Sequence, residues 1–286
     1  MKLKCGQFAF EINYNEQWKV PQNTIEFISN NGKIDVKYKI DFVDKIEHNN
    51  EQIIHERNNI VVTKNNENLE SRYLIITGDY YPYAFYKEIN KENINIKVLN
   101  KFKDKFCSDT FFWSLFALEK HMIQNNSAIL HCNYIIHKNH AILFSGPSGI
   151  GKSTQGNLWK EYRDTPIING DRGLILKENN KWYVDGWPVC GSSEICLNKK
   201  TPLGAIVFLK QGNDNKISIL DKKSAIKQLI GQMTINYWNK DFVNKAISIA
   251  ENIGDEVNVY ELTCTPDIRA IETLEDMLKE NEIWMD

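Results

Sequence analysis

The sequence predicts an α/β protein in two parts, a mostly-β N-terminal module over residues 1–106 and an α/β domain over residues 107–286. Three observations support this prediction. Before residue 106, short apolar stretches alternate with polar turns at a period near two, which is typical of β-strands. After residue 108, apolar residues recur at helical spacing. Short apolar runs such as residues 205–209 then predict buried strands between the later helices.

Composition and charge exclude several classes of protein. With 286 residues, 42% of them hydrophobic, the chain is long enough to bury a sizeable core and is not expected to be disordered. Its 35 basic and 37 acidic residues give a formal net charge of -2, so the overall charge favours neither nucleic acid nor an anionic membrane as a partner. The six cysteines lack zinc-site spacing, which predicts reduced thiols. The sequence contains no signal-length or membrane-length apolar run, so we expect a cytoplasmic protein.

The N-terminal module is predicted to be a mostly antiparallel sheet. Polar segments 30–32 and 64–68 predict turns within it. The tyrosine-rich segment 80–86 fits either a stacking surface or core packing. The predicted strands cover residues 8–12, 24–28, 34–43, 60–63, 73–77 and 94–98.

The second part is predicted to begin with one helix and a strand-turn-strand unit. Residues 111–124 carry a helical repeat after the capping residues 108–110. Two apolar segments, 128–136 and 141–144, predict strands joined by a tight turn. Further elements are predicted as helices over 152–160, 222–238 and 241–253, strands over 166–168, 205–209 and 257–264, and a last helix starting at 265–267.

The second strand of that unit runs into a Walker A pattern, Gly146-Pro147-Ser148-Gly149-Ile150-Gly151-Lys152-Ser153-Thr154. Glycines let backbone N–H groups converge on phosphate oxygens, and the positive end of the following helix adds to anion binding. We expect Lys152 to reach the β and γ phosphates, Ser153 to ligate Mg²⁺ and Thr154 to contact the α phosphate. ATP and Mg²⁺ are therefore the predicted ligands. The predicted nucleotide-binding residues are Gly146, Ser148, Gly149, Ile150, Gly151, Lys152, Ser153 and Thr154.

Two carboxylates are candidate partners of this loop. Asp171 lies 19 positions after Lys152, at the end of the strand predicted over 166–168, so a βαβ unit would place it beside the phosphates. Asp171 fits either a Mg²⁺ ligand or a general base, and a turn aspartate is the structural alternative. Glu194 is a second candidate metal ligand, with an ordinary surface glutamate as its alternative.

This order of motifs resembles the catalytic domain of the HPr kinase/phosphorylase family. The resemblance covers roughly residues 125–210 and rests on the strand-turn-strand unit, the Walker A loop, an early strand ending in Asp171, and Ser193-Glu194-Ile195. His131 lies 15 residues before Gly146, similar to the family's active-site histidine, whereas the residue alone also fits a buried, hydrogen-bonded histidine. The family has two adjacent aspartates where this chain has Gly170-Asp171.

The resemblance implies a P-loop kinase fold of the phosphoenolpyruvate-carboxykinase-like type and ATP-dependent phosphorylation of a serine hydroxyl. It implies catalytic roles for Asp171, Lys152 and His131 and metal binding by Ser153, Asp171 and Glu194. The partner would be a peptide or protein with a serine acceptor; related kinases also occur beside pathways of ribosomally made peptides. The sequence leaves open a homo-oligomer, a preference for GTP over ATP and retained phosphorolysis. The alternative functions are a catalytically silent ATP-sensing module and a nucleotide hydrolase.

Overall fold

The computed structural model describes residues 1–15, 18–30 and 32–281 and divides the chain into two compact units, Met1–Leu118 and Glu119–Asp286. The division follows residue 118 rather than residue 106, because aromatic residues after 106 pack within the N-terminal unit. The Tyr38 hydroxyl, for example, donates a hydrogen bond to the Phe116 carbonyl at 2.9 Å, and the two rings meet edge to face.

The N-terminal unit contains one eight-stranded sheet in the order β1-β2-β3-β8-β7-β6-β5-β4. Strand β3 is parallel to both of its neighbours, and the other neighbouring strands are antiparallel. The sheet of this unit is therefore mixed, with mostly antiparallel neighbours. Its strands are β1 (Lys2–Cys5), β2 (Phe8–Asn13), β3 (Val36–Val43), β4 (Gln52–Arg57), β5 (Ile60–Lys64), β6 (Glu70–Ile75), β7 (Pro82–Glu88) and β8 (Asn93–Leu99).

Some local predictions for this unit are corrected. The strand predicted over 24–28 is wrong, because Gln22–Phe27 forms a 3₁₀ helix that buries Thr24 and Phe27. In the tyrosine-rich segment 80–86, Tyr80 and Tyr81 are exposed, whereas the aromatic residues that follow on β7 are buried. The turn predicted at 30–32 includes residue 31, which lies outside the described residues.

The helix predicted over 111–124 is interrupted. Residues 109–114 form α1 and residues 118–124 form α2, with Ala117 between them at a φ of 50°. A non-glycine residue in the left-handed region ends a regular helix. A second 3₁₀ helix, Asn100–Lys105, precedes α1. The bounds of these two helices are α1 (Asp109–Ser114) and α2 (Leu118–Gln124).

The C-terminal unit is built on a second mixed sheet. Its strands follow the order β10-β9-β12-β13-β14-β16-β15. In addition, β10 pairs in parallel with β14, and the short strand β11 pairs with β9. A third 3₁₀ helix covers Gly191–Ser193. The strands are β9 (Ser127–His137), β10 (His140–Ser145), β11 (Ile167–Asn169), β12 (Arg172–Glu178), β13 (Lys181–Asp185), β14 (Thr201–Gln211), β15 (Lys216–Ile219) and β16 (Val259–Cys264). The helices are α3 (Lys152–Arg163), α4 (Lys222–Gln232), α5 (Lys240–Glu256) and α6 (Ile268–Glu280).

Helices cover both faces of this sheet. Side chains of α4 and α5 share one core with alternate residues of β9, including Leu130 and Tyr134. Side chains of α3 and α6 share the other core with Ile135 of the same strand. Because side chains alternate along a strand, His131 and Asn133 lie on the same face as Ile135, towards α3. The helix predicted over 222–238 is shorter than expected, since α4 ends at Gln232.

The α/β organisation and the β9–β10 hairpin are confirmed, but one detail of topology differs from the prediction. Strand β9 pairs antiparallel with β10 on one side and with β11 on the other, so β10 and β11 are parallel with β9 between them. The expected βαβ unit is therefore split by an inserted strand. Among the described residues, no helix is both long and apolar enough to cross a membrane.

Candidate phosphate-transfer site

The loop over residues 146–151 joins the end of β10 to the start of α3. Three of its glycines have positive φ, 137° at Gly146, 80° at Gly149 and 118° at Gly151. Residues other than glycine rarely adopt these φ angles, because their Cβ atoms clash with the backbone, and this explains why the loop is rich in glycine. The Ser145 hydroxyl donates to the His131 carbonyl at 2.8 Å, which ties the end of β10 to β9 just before the loop.

The N-terminal end of α3 has no side-chain cap. Its first intrahelical hydrogen bond runs from the Gln155 amide to the Gly151 carbonyl at 2.9 Å, so the amides of Lys152, Ser153 and Thr154 precede the hydrogen-bonded ladder. Such amides, together with the positive end of the helix dipole, form an anion-binding site. This local geometry fits a phosphate ligand.

Lys152 is buried at the start of α3 and folds back onto the loop. Its Nζ donates to the carbonyls of Gly146 at 2.9 Å and Pro147 at 3.0 Å. Burial lowers the pKa of Lys152, and the nearby negative charge of Asp171 partly offsets that effect. The ammonium group therefore lies beside the loop, next to the uncapped helix end.

Asp171 is held in a bend between β11 and β12 by Asn169. The Asn169 Oδ1 accepts hydrogen bonds from the amides of Asp171 and Arg172, both at 2.8 Å, and its Nδ2 donates to the Trp187 carbonyl at 2.7 Å. The prediction from sequence did not include Asn169. An asparagine before Gly-Asp is nevertheless a recognisable turn signal, because its short amide can bond the backbone two residues later.

Two cationic or ionisable side chains hold the Asp171 carboxylate. His131 Nε2 lies 3.5 Å from Oδ1, and Arg172 Nε donates to Oδ2 at 3.0 Å. The hydrogen bond with His131 and the neighbouring Arg172 lower the pKa of Asp171, although burial opposes them. Arg172 is itself fixed by a 2.9 Å hydrogen bond from Nη1 to the Thr234 hydroxyl. The Asp171 carboxylate is therefore ionised at neutral pH, and these two contacts fix its orientation.

Gly170 explains why this chain has one aspartate at the bend rather than two. A Cβ at Gly170 would lie 2.2 Å from Ser193 Cβ and 2.3 Å from its Oγ. A second carboxylate cannot occupy position 170 unless Ser193 moves. The Ser193 hydroxyl donates to the Cys190 carbonyl at 2.6 Å, so it is part of the neighbouring turn.

These side chains share a cavity of about 480 Å³. His131, Lys152 and Asp171 line it, as do most of the predicted phosphate-binding residues, but Gly146, Ile150 and Glu194 are not among the described lining residues. Glu194 is exposed, in a left-handed conformation with a φ of 55°. The lining residues are His131, Asn133, Ser148, Gly149, Gly151, Lys152, Ser153, Thr154, Asn157, Ile167, Gly170, Asp171, Cys190, Ser192, Ser193 and Ile195.

Asn133 is a cavity residue that the sequence motifs did not reveal. It is 2% exposed, and its Oδ1 has no hydrogen-bond partner among the described residues. A Cβ at Gly156 of α3 would lie 2.3 Å from this oxygen, so the glycine makes room for the amide. A buried amide without a hydrogen-bond partner and a glycine within a helix each lower the stability of the folded state by about 1 kcal/mol. Both destabilising features lie beside the candidate phosphate site.

The cavity offers few oxygen ligands, which suits a Mg²⁺ ion that is also bound by substrate phosphates and water rather than an ion held by protein side chains alone. Within the described ranges, no group of three or more His, Cys, Asp or Glu side chains could hold a metal ion. Mg²⁺ commonly uses one or two protein oxygens together with substrate phosphates and water. The Ser153 hydroxyl and the Asp171 carboxylate, which line the same cavity, fit that mode.

Comparison with known proteins gives only a coarse result. No protein-family model matches the chain, and no curated protein matches it. Among solved structures, the chain is similar to the HPr(Ser) kinase/phosphatase from Coxiella burnetii, with 14% sequence identity and a TM-score of 0.32. The similarity covers 54% of this chain and 89% of that chain. At this level the similarity is too weak to establish a shared fold or a function.

Proposed function

We propose that this protein is an HPr kinase-like, Mg²⁺-dependent P-loop kinase, which transfers the γ-phosphate of ATP to a serine hydroxyl of a peptide or protein. The observation that carries the proposal is that Lys152, Ser153, Asp171 and His131 line one cavity at the uncapped start of α3. A phosphate-binding helix end, a lysine and a fixed carboxylate are the parts that phosphoryl transfer requires.

The loop amides and Lys152 bind the phosphates in this proposal. Lys152 exchanges its two carbonyl contacts on the loop for the β and γ phosphates, which places its positive charge where negative charge develops during transfer. The amides at the start of α3 supply fixed donors that need no reorganisation.

Ser153 and Asp171 are the proposed Mg²⁺ ligands. The ion, when bound with ATP, would neutralise phosphate charge. Glu194, the third ligand predicted from sequence, is exposed outside the cavity, and the proposal does not require it.

Asp171 also receives or orients the acceptor proton in this proposal. Because its pKa is lowered from 3.8, the carboxylate is ionised at neutral pH and can accept a hydrogen bond from the attacking hydroxyl. His131 and Arg172 position the carboxylate from either side. A single aspartate thus serves at the bend, because Ser193 fills the space next to Gly170.

The test is incubation of the purified protein with γ-labelled ATP and Mg²⁺, together with lysate or with peptides encoded beside its gene. We expect label on a serine of an acceptor, and no label with Lys152→Ala. Lys160→Ala is the matched control, because Lys160 is exposed on the same helix away from the cavity. ATP binding with neither transfer nor phosphate release would instead support a silent sensing module. Phosphate release without a labelled acceptor would support a hydrolase.

A further inference from the structure

The cavity contains a serine hydroxyl to which the proposed reaction assigns no role. Ser192 is exposed, lines the cavity and has no hydrogen bond to another described residue. Its neighbour Ser193 differs, because the Ser193 hydroxyl donates to the Cys190 carbonyl at 2.6 Å and accepts from the Ile195 amide at 3.3 Å. Of these two adjacent serines, Ser192 is therefore the one with an available hydroxyl.

The turn that carries Ser192 packs against the candidate base. A Cβ at Gly191 would lie 3.2 Å from Asp171 Cγ and 3.4 Å from Oδ1, so only glycine allows so close an approach without displacement. Gly191 also has a φ of 56°, which favours glycine at this position. Ser192 is the next residue in the chain and lines the same cavity as Asp171.

The same turn is anchored to the strand that positions Asp171. After the turn, the Leu197 amide donates to the Ile168 carbonyl at 2.9 Å, and the Gly170 amide donates to the Ile195 carbonyl at 3.4 Å. These bonds extend the sheet next to β11. Backbone pairing of residues 168–170 with residues 195–197 therefore holds the end of this turn beside the segment that leads into Asp171.

We propose that Ser192 is a self-phosphorylation site of this chain. In this step, which rests on the proposed function, Ser192 Oγ forms a bond to the γ-phosphorus of ATP, the bond from that phosphorus to the β–γ bridging oxygen breaks, and ADP leaves. The hydroxyl proton passes to Asp171. Because Ser192 and Asp171 line one cavity of one chain, the transfer is intramolecular.

The other cavity hydroxyls are less suited to this transfer. Ser153 and Thr154 lie on the first turn of α3, on the phosphate-binding side, and Ser148 lies within the loop itself. Ser192 lies outside both the loop and α3, on the turn whose Gly191 packs against Asp171. An in-line reaction needs an attacking hydroxyl on the side of the γ-phosphate away from the leaving ADP, and the proposal assigns that position to Ser192.

The experiment uses the purified full chain alone. The protein is first treated with phosphatase, the phosphatase is removed, and γ-labelled ATP with Mg²⁺ is added. We expect up to one phosphate per chain, mapped to Ser192 by mass spectrometry, with a first-order rate constant that tenfold dilution leaves unchanged. Ser192→Ala should lose the label, Ser193→Ala should keep it on Ser192, and Ser192→Thr should give phosphothreonine at position 192.

Three results would overturn the assignment: label at another residue, label undiminished in Ser192→Ala, or a rate constant that rises in proportion to protein concentration. Unchanged thermal midpoints of the three variants serve as the folding control. Parallel assays of ATP binding and of transfer to added peptides separate the two proposals. Transfer to peptides without self-labelling contradicts only the role of Ser192, whereas the absence of ATP binding contradicts the proposed function itself.

Discussion

The two ends of α3 show how one helix serves two purposes. Its start has no side-chain cap, carries amides outside the hydrogen-bonded ladder and faces the cavity. Its end is fastened to α6, because Arg163 makes two hydrogen bonds to the Glu275 carboxylate, at 2.8 and 2.7 Å. Near that end, the fully buried Trp159 packs edge to face on His137, with the ring centroids 4.9 Å apart.

The start of α3 thus belongs to the candidate site, whereas its end contributes to the stability of the fold. Near the start, the uncapped amides of α3 and the Asn133 side chain lie at the cavity. At the far end, charges are paired and aromatic rings are packed, so that end stabilises the position of the helix on the sheet. Substitutions at the two ends should therefore have different consequences.

The largest expected effect is that of Lys152→Ala at the start of the helix. Loss of the ammonium group removes charge stabilisation from the transferred phosphate, and we expect phosphoryl transfer to fall by about 10³-fold. The thermal midpoint should stay close to that of the wild type, because the hydrogen bonds of the Lys152 ammonium group are to carbonyls of the flanking loop. Transfer assays and thermal melts check this pair of results. Normal turnover of Lys152→Ala would contradict a role for the start of α3 in phosphoryl transfer.

Asp171→Asn should reduce transfer by about 10²-fold while ATP binding is largely retained. The amide keeps the size of the side chain but cannot take the acceptor proton. Measuring turnover and ATP affinity in the same variant separates the two roles of Asp171. Equal losses in both would mean that Asp171 acts only in binding.

Arg163→Ala tests the opposite end of the helix. Removing the paired hydrogen bonds to Glu275 should lower the free energy of unfolding by about 1 kcal/mol, as is typical for a partly exposed ion pair of good geometry. Transfer by the folded protein should remain within about twofold of wild type, since Arg163 lies at the far end of α3. Urea unfolding and a transfer assay provide the comparison. Unchanged stability with lost transfer would contradict the division between the two ends.

A smaller effect is the pH dependence of this ion pair. The hydrogen bond from Arg163 lowers the pKa of Glu275 from its usual 4.5 in the folded state. The pair therefore contributes stability above about pH 4.5, and that contribution is lost as pH falls through the lowered pKa. The stability difference between wild type and Glu275→Gln should shrink as the pH falls below about pH 4. A difference that grows over that range would show the opposite sign of linkage.

Local signals in the sequence predicted the core of the candidate site. The glycine pattern, the hairpin before it and the helix after it each depend on neighbouring residues, and the structure contains β9, β10 and α3 where they were expected. The residues 24–28 were wrongly predicted as a strand, since a short apolar run alone does not distinguish a strand from a 3₁₀ turn.

The features that were missed depend on contacts between distant segments. The insertion of β9 between β10 and β11 follows from sheet pairing, which no local pattern encodes. The contact of Ser193 with Gly170 and that of Asn133 with Gly156 join residues more than 20 positions apart. Periodicity and motif spacing give no information about such contacts, so the roles of these residues became visible only in the folded chain.

The central claim is that the start of α3 is a nucleotide-phosphate site. The most direct test is a crystal structure of the protein with Mg²⁺ and a non-hydrolysable ATP analogue. We predict that the β and γ phosphates lie on the amides at the start of α3, and that Lys152 Nζ leaves the carbonyls of Gly146 and Pro147 to bind them. A nucleotide bound elsewhere, or a saturated complex in which Lys152 keeps both carbonyl contacts, would contradict the claim.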